Sequence, residues 1–288
     1  MGESLSAPGR SPESPARALK RTVKLGLRLV TKGWYTEQRL RRDIEALGVR
    51  SGRVLLVHSS LSSLGVVSGG AATVIDALRA LLGPEGTLVM PSHTWDRPGR
   101  GDFAFDIGKT PSCVGAISEK FRTMPGAIRS LHPTHSVVAL GPKARDLIAG
   151  HEAAKTPCGE GTPYAKMIKE RAQILFLGTT LDQNTIFHTL EAYAGSPYLL
   201  RDEDEAFSIT DSSGSTQTIR FRRHERGPDR CFATLTPLLA AAGILRKGRV
   251  GASESLLVEC AQMTKLVLQR MREDPALLVQ QVAAGAGS

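Results

Sequence analysis

The sequence is poor in cysteine and in aromatic residues, and it contains none of the common short motifs for nucleotides or metals. Its four cysteines, Cys113, Cys158, Cys231 and Cys260, are scattered singly among 288 residues and form no CxxC pair. Isolated cysteines frame neither a disulfide-stapled fold nor a zinc-finger quartet, so a reducing compartment, the cytoplasm, is expected. No apolar run approaches the roughly 18 residues of a membrane span. The nearest thing to a signal-peptide core, Leu25 to Val30, is interrupted by Arg28. HExxH and GxGxxG are missing, no Gly-Lys-Ser/Thr follows the serine-rich loop after His58, and the HxxE around His188 has no third ligand at a recognisable spacing, so no metal is expected. Acidic residues are also outnumbered, 28 against 37 basic ones, for a net charge of +9. The excess forms two clusters, Arg17 to Lys32 and Arg220 to Arg230, rather than a stripe, and aromatics are only 5%. That distribution argues against nucleic acid and for an anionic small ligand.

What is present reads as one α/β domain. Residues 1–17, rich in Ser, Pro and Gly, read as a disordered tail, and 276–288 as a flexible C-terminus. Residues 18–35 read as a basic peripheral helix that packs on the main domain, contact with a membrane surface being the lesser reading. The domain itself spans 36–275. Thr36 caps a helix that ends at Gly48. Val54 to Val57, a helix over Ala71 to Leu82, and Thr87 to Met90 then make a strand–helix–strand unit, which implies parallel pairing. Residues 91–112 read as a long polar loop. Strands are expected at Ser136 to Leu140 and Ile174 to Leu177, and a β-hairpin with a DSSGS tip at Phe207 to Phe221. Helices are expected over Phe232 to Ala242 and Ser253 to about Met271. The fold class is therefore a mixed, largely parallel central sheet flanked by helices, with a hairpin elaboration.

The stretch Ala172 to Gly195 organises the candidate chemistry. An apolar strand ends in a polar turn and feeds a helix on which His188 and Glu191, three apart, share a face. Strand ends and their loops are where α/β proteins converge on a ligand, and a histidine beside a carboxylate can accept a proton near neutral pH. The loop His58, Ser59, Ser60, Leu61, Ser62, Ser63, Leu64, Gly65 follows a buried strand, and its small residues let backbone N–H groups turn inward toward an anion. Arg129 and Ser130 open a rigid turn that carries His132 and His135. Asp96, Glu160, Asp182 and His224 are candidate contacts for an acceptor. Cys158 has no evident partner in sequence that would make it a nucleophile.

Five segments, VLLVHSSLSSLG, GPEGTLVMPSHT, RSLHPTHSVVALGPKA, PCGEGTPYAKM and ILFLGTTLDQNTIFHTLEAYAG, occur in this order. Together they resemble the aminoglycoside 3-N-acetyltransferase family over roughly residues 36 to 272. The resemblance implies an α/β fold distinct from the GNAT acetyltransferases, with acetyl-CoA as co-substrate and the amine of an amino sugar or aminoglycoside-like compound as acceptor. It assigns the base to His188 and coenzyme A contacts to Ser59 to Gly65, with His58 beside them and Arg129 and Ser130 close by; Glu191 or another carboxylate is expected to orient the imidazole. The run RFRRHERGPDR before Cys231 departs from the acidic character of antibiotic-modifying relatives, so a less cationic acceptor is expected. A non-catalytic coenzyme A-binding module and a thioesterase-like hydrolase are the alternatives; the oligomeric state is open.

Overall fold

The computed structural model describes residues 33–96, 104–225, 227 and 229–279. The tail over 1–17, nearly all of the basic helix over 18–35, and 280–288 lie outside the described residues. The strands in chain order are β1 (Trp34–Tyr35), β2 (Val54–Ser59), β3 (Val66–Val67), β4 (Thr87–Pro91), β5 (Ala104–Asp106) and β6 (Ile128–Arg129). They continue as β7 (Val137–Leu140), β8 (Gln173–Leu177), β9 (Glu205–Thr210), β10 (Thr216–Phe221), β11 (Leu245–Val250) and β12 (Ser253–Glu259). Seven of them form one mixed sheet in the order β11-β12-β8-β2-β4-β7-β6.

Parallel pairing is confined to the centre of that sheet, where β2 lies between β8 and β4. The flanking pairings are antiparallel, so the sheet is mixed as expected but its parallel character belongs to the central trio rather than to most strands. The interior of the trio is apolar, Val54 to Val57, Leu88 to Met90 and Ile174 to Leu177, because both its faces are covered. Leu56, Ile174 and Phe176 point to one core with Ile186, Phe187, Leu190, Met263 and Val267. Leu55, Val57, Leu175 and Leu177 point to the other, with Leu40, Ile44, Ile75 and Leu78. The period-two alternation of the strands thus divides the molecule into two layers of helices around a sheet.

The helix Glu37–Leu47 begins and ends where its caps place it: Thr36 Oγ1 accepts from Arg39 N–H at 3.4 Å, and Gly48 adopts φ 106°. The helix expected from Ser253 is corrected in its first half. Ser253–Glu259 is β12, and the helix runs from Cys260 to Glu273. The reason is burial on both faces: Leu256, Leu257 and Val258 sit between β11 and β8, with Leu256 paired to Phe176 and Leu257 to Leu175. The outer strand, β11, reads LRKGRV and carries exposed basic side chains that discourage further pairing at the sheet's edge. Inside the stretch expected to be a loop, β5 joins the hairpin β9–β10 as a third strand, with Phe105 fully buried against Phe207, Ile209 and Phe221. At the other end, Leu278 is fully buried, so the packed chain extends past 275 to at least Val279. Among the described residues no helix is long and apolar enough to cross a membrane.

One glycine fixes how β8 hands over to the loop behind it. Gly178 has φ 68°, and a Cβ there would lie 2.8 Å from Ser253 Oγ and 2.9 Å from Ser63 Cβ. Its N–H donates to Ser255 Oγ at 3.1 Å. Gly178→Ala therefore combines left-handed strain with a clash against two neighbouring loops, and it should lower the free energy of unfolding by about 1–3 kcal/mol. Urea denaturation checks this; an unchanged midpoint would mean that Ser63 and Ser253 yield freely.

Candidate active site

Because β2, β4 and β8 run parallel, their C-terminal ends share one edge of the sheet, and the loops that follow them meet there. They enclose a cleft of about 420 Å³ whose walls include His58, Ser59, Ser60, His93, Asn184 and His188. A second lobe of about 280 Å³ adjoins it, walled by Arg201, Arg223, His224, Glu225, Arg230 and Phe232. Trp95, His135, Asp182 and His188 line both, so His188 stands at the junction.

The His188 helix, Ile186–Ala194, is held from beneath. Ile186, Phe187 and Leu190 are buried in the core, Asn184 Oδ1 accepts from Ile186 N–H at 3.2 Å, and Thr189 Oγ1 donates to Cys158 O at 2.7 Å. Glu191, on the same face as His188, is fully buried. Its Oε2 lies 2.6 Å from His188 Nδ1, and Arg230 Nε donates to its Oε1 at 3.4 Å. A carboxylate can only accept, so Nδ1 carries the hydrogen and the neutral ring keeps its lone pair on Nε2. With 22% of its side chain exposed, His188 remains accessible to the cleft.

All seven histidines of the chain gather around this point. His93 and His135 have ring centroids 4.8 Å apart, His135 and His224 4.7 Å, and His224 and His188 4.7 Å. His132 stacks on His151 at 4.4 Å, and His58 stacks on Phe176 at 5.2 Å. Burial pushes His58 down to about 3 and His151 down to about 4. Burial first, and mutual repulsion second, holds His93, His132, His135 and His224 well below the ordinary imidazole value. These rings are neutral at physiological pH. Tyr164, itself fully buried, ties two of them together: its hydroxyl is 2.7 Å from His93 Nε2 and donates to His135 O at 3.1 Å.

The residues singled out from sequence are placed as follows. His188 and Glu191 meet, and His58, Ser59 and Ser60 face the cleft. Ser62 and Ser63 stand behind, with hydroxyls 3.3 and 2.9 Å from Ser60 Oγ. Leu64 is fully buried in the core, Leu61 packs against it, and Gly65 turns the chain at φ 93°. The expected nest of inward N–H groups is corrected in part, because Ser60 N–H is spent on Leu177 O and Ser63 N–H on Ser60 O. Hydroxyls are what the loop offers. Arg129 and Ser130 do not line the cleft. The buried Arg129 guanidinium donates to Ser136 Oγ at 2.9 Å, Thr110 O at 2.5 Å and Ser92 O at 2.7 Å. Ser130 Oγ is 2.9 Å from His151 Nδ1 and accepts from Val137 N–H. Both brace the turn that carries His132 and His135.

Asp182 lines both lobes and His224 the second, whereas Asp96 and Glu160 line neither. Glu160 is instead bound to Lys169 Nζ at 2.6 Å and to the Tyr193 hydroxyl at 2.9 Å. The sequence reading did not single out His93, Trp95, Asn184, Arg201 or Arg223 as contacts. A faint signal existed for the first two, since PSHTW follows β4 at the same sheet edge. The arginine cluster is also more neutral than its sequence suggests: Glu205 takes Arg223 at 2.7 Å and Arg201 at 3.0 Å.

The buried histidines make stability depend on pH. Their folded-state affinity for protons is below that of the unfolded chain, so protonation favours unfolding. The stabilisation is complete above the unfolded value near 6.5 and is lost progressively as pH falls toward about 4 and 3, the values of His151 and His58. One such histidine contributes a slope of about 1.4 kcal/mol per pH unit in that window. Several acting together should give a steeper one, read from urea midpoints between pH 7 and 4. A flat profile above pH 5 would show that the cluster is hydrated rather than buried.

Comparisons with known proteins agree with this geometry. The family profile described as aminoglycoside 3-N-acetyltransferase matches residues 56–272. Aminoglycoside N(3)-acetyltransferase IX of Micromonospora chalcea is 31% identical over 255 residues, covering 79% of this chain and 90% of that protein. Among solved structures, the binary complex of AAC-IIIb with CoASH superposes with a TM-score of 0.73 at 28% identity, covering 83% of this chain and 97% of the other. A histidine-to-alanine variant of aminoglycoside acetyltransferase AAC(3)-IVa in complex with a gentamicin gives a TM-score of 0.74 at 30% identity, with 88% and 94% covered.

Proposed function

We infer the reaction from one premise: this chain belongs to the aminoglycoside 3-N-acetyltransferase family and is an acyltransferase, not of the GNAT fold. The proposed reaction moves an acetyl group from acetyl-CoA to a primary amine of an amino sugar or aminoglycoside-like acceptor, in the cytoplasm. The single observation that carries the reading is the pair His188 Nδ1 and Glu191 Oε2, 2.6 Å apart at the junction of two lobes.

The chemistry asks for a base at that point. An alkylammonium has no lone pair, and near pH 7 most free alkylamines are protonated, as lysine is, so the acceptor first gives up one proton to solvent and attacks as the neutral amine. As the amine nitrogen attacks the thioester carbonyl carbon, one N–H proton passes to His188 Nε2. The carbonyl electrons move onto oxygen, where a hydroxyl from the Ser59–Ser60 side of the cleft can donate to the tetrahedral oxyanion. When those electrons return, the C–S bond breaks, and the coenzyme A thiolate leaves with the proton returned from the imidazolium. Glu191 holds the ring in the tautomer this requires and stabilises its charged form while the proton is there. The coenzyme A complex of AAC-IIIb supports the donor, and the gentamicin complex of AAC(3)-IVa supports an aminoglycoside-type acceptor.

The second lobe sets the finer expectation for the acceptor. Its wall mixes the carboxylates Asp182 and Glu225 with Arg201, Arg223 and Arg230. A polycation meets both attraction and repulsion there. An amino sugar of low net charge is therefore the better acceptor, and a panel of amines assayed by release of coenzyme A thiol should rank singly charged amino sugars above gentamicin-type polyamines. The reverse ranking would overturn the charge argument without touching the transfer reaction. Thiol release without any amine would instead point to hydrolysis.

The base is tested separately. His188→Ala should lower kcat by roughly 10²-fold or more. It should leave the coenzyme A dissociation constant within about twofold, because the imidazole serves the acceptor side. Near-wild-type turnover by a folded His188→Ala protein would remove His188 from the mechanism.

A further inference from the structure

Three side chains that the transfer reaction does not use converge beside the cleft. His135 ends the turn before β7, Cys158 lies in the glycine-rich turn before the helix Pro163–Lys169, and His224 sits in an isolated β-bridge with Leu200. One ligand-type atom from each lies within 4.8 Å of the other two. We propose that His135, Cys158 and His224 form a binding site for a borderline-soft divalent cation, of which zinc is the representative.

The donor chemistry supports this. Two imidazoles and a thiolate are a set that zinc takes with three protein ligands, leaving a fourth position open. His135 Nδ1 is 2.9 Å from Thr134 Oγ1, which can accept its hydrogen and so leave Nε2 with the lone pair. His224 Nε2 is buried with no hydrogen-bond partner, an arrangement that ordinarily costs about 1–3 kcal/mol and that a bound cation relieves. Cys158 is a free, fully buried thiol. A cation that binds here displaces the thiol proton to solvent. Zinc bonds of about 2.0 Å to nitrogen and 2.3 Å to sulfur require the donors to draw together by about 1 Å, within the reach of side-chain rotation.

His188 lies beside His224, ring to ring at 4.7 Å. Its Nδ1 is already bonded to Glu191, the carboxylate–histidine arrangement that supports a metal ligand through Nε2. An ion here would therefore compete for the same lone pair as the amine proton, and the activity would be metal-sensitive. That consequence rests on the proposed transfer reaction; the binding site does not.

The test uses cobalt(II) as the probe on the full-length, chelator-stripped protein. Titration should saturate at one equivalent and give a thiolate-to-cobalt charge-transfer absorption, which zinc then bleaches. Cys158→Ala should abolish that absorption, and His224→Ala should weaken binding at least tenfold, with near-ultraviolet circular dichroism confirming the fold of each. A Cys113→Ser/Cys231→Ser protein keeps the two partly exposed thiols out of the measurement and should retain the full signal. No saturable binding by wild type up to about 100 µM cobalt, far weaker than structural zinc affinities, overturns the proposal. So does a charge-transfer band that survives Cys158→Ala or disappears in the Cys113→Ser/Cys231→Ser protein.

Discussion

A single carboxylate shut away from water governs the geometry of this cleft. Glu191 has no exposed surface, and an ionised carboxyl in that position costs several kcal/mol unless charged and hydrogen-bonding partners surround it. His188 and Arg230 are those partners. Arg230 in turn lies over the Tyr198 ring at 5.6 Å and bridges backbone-to-backbone with Val279. The helix that carries His188, the segment leading from the hairpin and the last packed residues of the chain are thereby tied to one oxygen pair. Losing either partner leaves a buried charge uncompensated, so the orientation of the imidazole and the integrity of this corner are coupled. Glu191 is better described as a positioning residue than as a reacting one.

The other histidines do different work. A ring that charged up next to His188 would repel cations in the cleft and disfavour a second positive charge on His188. Burial prevents this: His93, His135 and His224 are held neutral by the cost of burying an imidazolium. The cluster is then a polar but uncharged bed, able to hydrogen-bond, with charge confined to its margins in Asp182, Glu225 and the arginines. The same burial makes the fold acid-labile, so the neutral bed and the pH dependence of stability have one cause.

The sequence made parts of this legible and hid others for identifiable reasons. His188 and Glu191 could be paired because a helix brings residues three apart onto one face. The apolar runs of β2, β4 and β8 marked the central trio, and turn residues marked the hairpin. The stretch SESLLVE was misread because a short apolar run joined to a true helix carries no period that distinguishes strand from helix; only its burial on both sides decides. β5 was hidden because three residues between polar loops gain their stability from Phe105 packing on the distant hairpin. Arg129 was misread because an arginine near two histidines suggests an anion, whereas its donors are consumed by carbonyls of Ser92 and Thr110, groups far away in sequence. Cys158 looked isolated for the same reason: His135 and His224 reach it only through the fold.

The arrangement of the sheet explains why two lobes, rather than one, meet at His188. Parallel strands bring the ends of β2, β4 and β8 to one edge and so build the first lobe from three consecutive kinds of loop. The antiparallel flank and the hairpin do not share that edge direction; they contribute Arg201, Arg223 and His224 from the side and wall off the second lobe. A two-substrate transfer profits from this division. The thioester and the amine can each be held by its own wall, and the step between them becomes effectively intramolecular, an advantage that reaches about 7–11 kcal/mol in well-oriented systems. For that advantage to be realised the shared residue must not move, which is what the buried anchorage of His188 through Glu191 and Arg230 provides. Rigidity at the junction and freedom in the outer wall are thus compatible. The inner contacts fix the orientation of the His188 ring, while the mixed charges of the second lobe lie outside those contacts.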